Sequence, residues 1–463
     1  MKKSIRLISL ILCLLFVCST AFVASAQVDS DFEGDEVPVV VKPEMGNWGL
    51  TAQERFKVDD QNIWAVSENA DAVEINAAAN SAGEAYLDTN EPQMVYVPNG
   101  THNITHYIWI PEGVILASER NCYYNVTEKV QTVVWLYGSV YGGKFNGNNK
   151  AGQMIRFREA DYEWPSGNVL YTTINDCTLQ AVVALGNVTG DVNVCNNTMN
   201  NALDGVCSMY GATIKLIDKN TISRTTQSGV DVTHANVVTI SNNTISNVTG
   251  HGISTDTEQN ADHAYCRITT IDGNKITNAG HHGLYLEKNC VVTGNVRNNV
   301  ISNSTLNGVC IGDYASIGNI NNNKYFYQNT VQGSKLSNIS VGGKNSVLVM
   351  GSRNYIRHSE SAGIALGSTA TCYIYGRDTY IYFNDMNGVQ MAANSYFYVK
   401  GSGRTYITYN RWGINMNKGC TTRLQNTTIR SNNYGAAYYV AGSSLRYVTS
   451  NCSISGKIYY KRA

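Results

Sequence analysis

The stretch NTISRTTQSGVDVTHANVVTISNNTISNVTGHGISTD (220–256) holds two copies of one unit. Asn220 and Asn243 open the copies, Ile222 and Ile245 follow two positions later, and Gly229 and Gly252 stand nine positions after the asparagines. Working outward, Asn197, Asn274, Asn299 and Asn323 extend the first column, with steps of 23, 23, 31, 25 and 24 residues. Met199, Ile276 and Ile301 extend the second column, and Gly205, Gly283 and Gly308 the third. Later, Gly363, Gly388 and Gly413 keep a step of 25, as do Gly351, Gly376 and Gly401. Self-similarity at such a period is the mark of a stacked architecture.

Within each unit the apolar residues alternate over short runs, as in Ile214 to Ile217, Val237 to Ile240 and Ile268 to Ile271. Val, Ile, Thr and Tyr fill these runs, and Asn, Gly and Ser punctuate them, which reads as short strands joined by tight turns. A meander would space its strands about 8–12 residues apart and need no longer period. A parallel coil explains both the strands and the period, because each turn lies on the last and like residues stack. Asparagine tolerates the left-handed turn conformation and its amide bonds nearby backbone. The glycines are expected to supply a tight bend before a strand.

The chain has 463 residues, a natural length for a solenoid that grows one repeat at a time. Residues 1–26 read as a secretory leader: Lys2, Lys3 and Arg6, a mostly apolar run from Ile8 to Val23, then Ala24-Ser25-Ala26 as the cleavage site. No later stretch is long and apolar enough for a helical membrane span. The leader carries three basic and no acidic residues, leaving 32 basic against 35 acidic ones. That balance argues against nucleic acid or anionic lipid as a main partner. Ten cysteines follow the leader, in an exported chain where disulfides persist. Cys266 and Cys290 fall at matching places on adjacent repeats and are the pair suited to a bridge, whereas Cys207 and Cys310 lie too many repeats apart. Residues 27–70, with Asp29, Asp31, Glu33, Asp35 and Glu36, read as a solvated lead-in.

With these columns the chain resembles the right-handed parallel β-helix proteins of the pectate-lyase-like superfamily. DAVEINAAANSAG (71–83) resembles the short helix that caps such coils. VYVPNGTHNI (95–104), IWIPEGVILAS (108–118) and GGKFNGNN (142–149) resemble their opening rungs. The expected fold is an all-β, right-handed parallel β-helix over residues 71–463, capped by that helix. A capped coil needs no partner to close its ends, so a monomer is expected. The resemblance specifies the fold and not the activity, since this fold carries lyases, hydrolases, epimerases, tailspikes and adhesins.

Candidate chemistry follows from the strand after each glycine. Val206, Val230, Ile253, Leu284 and Val309 follow the glycine and point inward. Alternation then turns Cys207, Asp231, Ser254, Tyr285 and Cys310 outward, together with Met209, Thr233, Asp256, Glu287 and Gly312. Just before the glycines stand Asp204, Ser228, His251, His282 and Asn307. Asp231, His234, His251, Asp256, His282, Glu287 and Lys288 thus gather on one face, in a chain whose charged fraction is only 15%. The extra residues of the long repeat, within TEQNADHAYC (257–266), are expected to form a loop beside them.

Two geometries follow. Asp256 and Glu287 fall roughly 5 Å apart on neighbouring rungs, close enough to share a proton or hold a cation such as Ca²⁺. Asp231 and Asp256 are diagonal, on the order of 8 Å apart, the range of an acid and base in inverting glycosidases. His251 and His282 are candidates to move a proton near neutral pH. The resemblance implies for Lys288 the basic role common in polysaccharide lyases. Gly250-His251-Gly252 resembles the Gly-His-Gly of polygalacturonase-type glycoside hydrolases, without their Asn-Thr-Asp, Asp-Asp and Arg-Ile-Lys stretches.

Seventeen of the 30 tyrosines follow residue 323, and Tyr355 with Tyr380, and Tyr373 with Tyr398, repeat at the rung step. They either present rings to sugars or pack against the next rung. The function expected is a secreted polysaccharide-active protein, a lyase or glycoside hydrolase acting on an acidic or pectin-like glycan. The alternative is a non-catalytic adhesin or glycan-binding coil.

Overall fold

The computed structural model describes residues 44–157, 167–186, 188, 190–256, 266–319, 321, 323, 325–448 and 450–461. The leader, the acidic run Asp29–Glu36 and all but Cys266 of the 257–266 stretch lie outside these residues.

Each repeat contributes three walls to a parallel coil. The first wall is one eighteen-stranded sheet that includes Thr213–Asp218, Asn236–Ser241 and Arg267–Asp272. After the column asparagine comes a three-residue strand: Thr198–Asn200, Thr221–Ser223, Thr244–Ser246, Lys275–Thr277. After the column glycine comes the third wall: Asp204–Met209, Val230–Thr233, Ile253–Asp256, Leu284–Leu286. Register is kept rung on rung, Ile222 beside Ile245 beside Ile276, and Val230 beside Ile253 beside Leu284. These aliphatics are buried in one continuous core that runs the length of the coil. The chain is a right-handed parallel β-helix: the repeat predicts the parallel coil, and the resemblance implies its hand.

The first turn is closed by helix α2 (Ala72–Thr89), which runs six residues beyond the stretch 71–83 that the resemblance implies. Asp71 caps it, accepting the backbone N–H of Val73 at 2.9 Å and of Glu74 at 3.0 Å. Residues 44–70 depart from the expected solvated lead-in. Helix α1 (Asn47–Phe56) lies on the outer side of the first wall, where Ala52 joins Met94, Tyr96, Ile115, Tyr141 and Leu170 in a second, smaller core. Glu119, itself buried, accepts the N–H of Gly49 at 2.8 Å. Ile63–Ala65 then pairs with Gln93–Val97 as the first strand of the wall. The physical reason is that Trp48, Phe56 and Ile63 downstream of the acidic run supply apolar surface that tyrosine rings on the wall complete.

The asparagine column forms a buried amide ladder. The Nδ2 of Asn197, Asn220, Asn243 and Asn274 each donates to the Oδ1 of the next member at 2.9–3.0 Å. Each also donates to a carbonyl of the preceding rung, as Asn220 does to Val194 at 2.8 Å. The next member after Asn299 is Asn329, at 3.0 Å, and not Asn323. Asn323 is an exposed turn residue in a rung of 30 residues. The ladder then changes sides. Beyond Asn354 its register is taken by Thr379, Thr405 and Thr427. A new ladder, Asn384 to Asn410 to Asn432, starts at the other end of the same short strand.

Spatial demand, and not a bend, explains the glycine column. None of Gly205, Gly229, Gly252, Gly283 and Gly308 has a positive φ. A Cβ at any of them would stand 2.3–2.5 Å from the branched methyl of the aliphatic on the next rung, Ile276 in the case of Gly252. Cys266 and Cys290 do fall in register, since Arg267 pairs with Val291. They stand as two thiols, Cys266 Sγ donating to the carbonyl of Asp256 at 2.8 Å.

Candidate functional site

The third wall carries the candidate residues in the predicted order. Cys207, Asp231, Ser254, Tyr285 and Cys310 occupy one outward register, and Thr233 pairs with Asp256 at the end of theirs. Asp231 is half-buried and held by three donors: Ser254 Oγ at 2.6 Å and Thr233 Oγ1 at 2.8 Å, with the Cys207 thiol at 3.6 Å. Burial raises its pKa above the ordinary carboxylate range, with the nearby Asp256 charge adding to the rise against the hydroxyl donors. Asp256 is exposed at the strand end; its carbonyl accepts the N–H of His234 at 3.1 Å. Glu287 is half-buried and its N–H donates to Thr255 Oγ1 at 3.0 Å, while Lys288 is exposed. Tyr285 sits between these carboxyls: its pKa is raised by burial first, then by Glu287. Among the described residues no three His, Cys, Asp or Glu side chains converge as a metal-binding group.

His251 and His282 are brought together with Tyr285. The imidazoles stack at 5.3 Å and 10°, and His251 stacks on the Tyr285 ring at 4.7 Å and 18°. His251 Nδ1 faces the backbone N–H of His282 at 3.3 Å, and His282 Nδ1 faces that of Asn307 at 3.1 Å. An N–H pointing at Nδ1 assigns the ring proton to Nε2. Burial pushes His251 down to about 3 and His282 to about 4. Both rings are therefore neutral Nε2–H donors, fitted to hold a ligand oxygen more than to accept its proton.

One residue not singled out from sequence joins the site. Asp204 is only 3% exposed and accepts Ser228 N–H at 2.8 Å and Gln180 Nε2 at 3.4 Å. Burial first, then Asp231, pushes it up to about 7. Ser228 Oγ lies 2.9 Å from Ser254 Oγ, so Asp204 and Asp231 meet in one polar column. Its signal was its place just before Gly205, in the same column as His251.

These groups oppose one another in stability. Asp204 binds its proton more tightly folded than unfolded, so its contribution is full below about pH 4 and falls as pH rises through about 7. His251 and His282 bind protons less tightly folded, so theirs is full above their ordinary 6.5 and falls as pH drops toward 4. Urea midpoints of Asp204→Asn between pH 4 and 8 should rise to pH 6.5 and then level. Those of the His251→Asn/His282→Asn double variant should decline up to about pH 7. An Asp204→Asn profile parallel to wild type would mean that no proton resides on Asp204.

Residues 162–331 match the family model described as a right handed beta helix region. No curated protein matches the chain. Among solved structures, the A-module of a mannuronan C-5 epimerase from Azotobacter vinelandii is similar at 15% identity over 77% of this chain and 96% of that one, with TM-score 0.46. The catalytic unit of a GH87 α-1,3-glucanase from Streptomyces thermodiastaticus is similar at 11% identity, over 86% and 69%, TM-score 0.35. PfbA, a surface adhesin of Streptococcus pneumoniae, is similar at 9% identity, over 82% and 93%, TM-score 0.35. The chain is thus a right-handed parallel β-helix protein. Among the described residues no helix is long and apolar enough to cross a membrane.

Proposed function

We propose that this β-helix acts outside the cytoplasm on a polysaccharide, and that the outer face of the third wall hydrolyses a glycosidic bond. The observation that carries the reading is the pairing of a half-buried carboxyl of raised pKa, Asp231, with an exposed one, Asp256, on the next rung. Unequal environments divide two carboxyls into an acid and a base. Asp231 protonates the leaving oxygen, Asp256 activates water, and their diagonal separation, on the order of 8 Å, leaves room for that water. The Nε2–H groups of His251 and His282 hold sugar oxygens. An acidic or pectin-like glycan would be repelled by Asp231, Asp256 and Glu287 unless a cation such as Ca²⁺ bridged the last two. In an elimination, Lys288 would be the base.

A second reading, glycan binding without turnover, is favoured by the three donors that already occupy the oxygens of Asp231. The test is the mature protein against polyuronates and neutral glycans, with and without Ca²⁺, following reducing ends and ultraviolet-absorbing unsaturated products together. Reducing ends alone are expected. Unsaturated products would replace hydrolysis by elimination. Binding with neither product selects the second reading, and no binding at all overturns both.

A further inference from the structure

A second column of left-handed residues runs along the coil, one position after each short strand from Thr198–Asn200 onward and preceded by Asp176 within Thr173–Cys177. Its members are Asp176, Asn201, Arg224, Asn247, Asn278, Asn303, Gly333, His358, Phe383, Tyr409 and Ser431, and every one has a positive φ. Asparagine and glycine suit that conformation; bulky side chains do not. The early members are joined by amides, Asn201 to Asp176 at 2.7 Å and Asn278 to Asn247 at 2.9 Å. Arg224 departs from that preference singly; three successive rungs then depart together, with His358 (φ 57°), Phe383 (φ 51°) and Tyr409 (φ 58°). Backbone held in a costly region is a pointer to function when it coincides with a site.

Here it coincides with a concavity of about 460 Å³, lined by His358, Phe383, Asn384, Asp385, Tyr409 and Asn433. The rings are near-parallel, with centroids 5.6 Å and 4.9 Å apart. Phe383 remains 46% exposed and Tyr409 51%. The lining thus combines aromatic rings with amide and carboxylate groups. The tyrosine ladder on the same short strands, Tyr355, Tyr380 and Tyr406, stacks within 4° of parallel at similar spacings but does not line that concavity.

We propose that His358, Phe383 and Tyr409 form a binding platform for a neutral glycan chain, separate from the carboxylate cluster. A pyranose has an apolar face of C–H groups and a polar rim of hydroxyls, which matches a ring surface flanked by Asp385 and Asn433. No lysine or arginine lines the concavity, so phosphate and uronate find no counter-charge, and Asp385 repels them. The site does not depend on whether the carboxylate cluster is catalytic.

Phe383→Asn separates binding from folding, because asparagine suits the left-handed turn. The wild type, Phe383→Asn and Asp231→Asn are titrated calorimetrically with cellohexaose, laminarihexaose, maltohexaose, xylohexaose and hexagalacturonate. At least one neutral hexasaccharide should bind the wild type, and hexagalacturonate should not compete for it. Phe383→Asn should lose that binding by about tenfold or more, with an equal or higher unfolding midpoint. Several outcomes overturn the platform: no neutral hexasaccharide binding, undiminished binding by Phe383→Asn, or a lowered midpoint, which would make the rings structural. Binding that survives Phe383→Asn and falls in Asp231→Asn belongs to the carboxylate cluster and overturns it too.

Discussion

Asp231→Asn should lower glycan cleavage by a factor of about 10²–10⁴, the usual worth of a positioned acid or base, while leaving the coil folded. The substitution keeps the shape of the side chain. Its Oδ1 retains the hydrogen bond from Ser254, and the hydroxyl of Thr233 and the thiol of Cys207 can turn to accept from the new amide. What disappears is the carboxyl whose pKa burial raises. A variant that cleaves as fast as wild type would remove Asp231 from the chemistry and leave the neutral imidazoles and Tyr285 as a binding surface. The stability of the variant, read in urea, guards against misreading a folding defect as lost catalysis.

Gly252→Ala should destabilise the coil by about 3 kcal/mol, at the upper end for overpacking. The new Cβ would stand 2.4 Å from Ile276 Cγ2 and 2.5 Å from the carbonyl oxygen of Gly283. The methyl belongs to a core residue and the oxygen to the next rung's backbone, so neither yields easily. The sign of the effect decides between two accounts of the column. Where glycine serves chain freedom and alanine fits, the exchange stabilises by roughly 0.4–1 kcal/mol. Where it serves space, the exchange destabilises, and Ile276→Leu, which removes the branch at Cβ, should recover about 1 kcal/mol of the loss. Denaturant midpoints of the two single variants and the double variant measure it.

The columns around Asn220 and Gly229 were legible because stacking makes one physical demand recur at one spacing. The inward register of Val206, Val230, Ile253, Leu284 and Val309 follows from alternation alone, and all five are buried. Asn323 misled because the true member, Asn329, lies in a rung of 30 residues where Asn338 takes the glycine's place. The column from Asp176 to Ser431 was invisible because its common demand is a backbone angle, which asparagine, arginine, phenylalanine and tyrosine all meet here. The proton on Nε2 of His251 and His282 depends on N–H groups of the following rung, which no local pattern encodes. Helix α1 escaped notice because its packing partners are tyrosines up to several rungs away.

The amide ladder's change of sides places its rungs where the chain is hardest to hold. Asn384 follows Phe383 directly, and Asn410 follows Tyr409. Ser359, next to His358, donates its hydroxyl to Asn384 at 2.9 Å, and Asn384 donates on to Asn410 at 3.0 Å. Each bulky left-handed turn is thus pinned by a buried polar neighbour, whereas the earlier turns of asparagine have their own amides for support. The conformational restraint on the aromatic rings is met during folding, not at the moment a ligand arrives, so the surface they present is pre-organised.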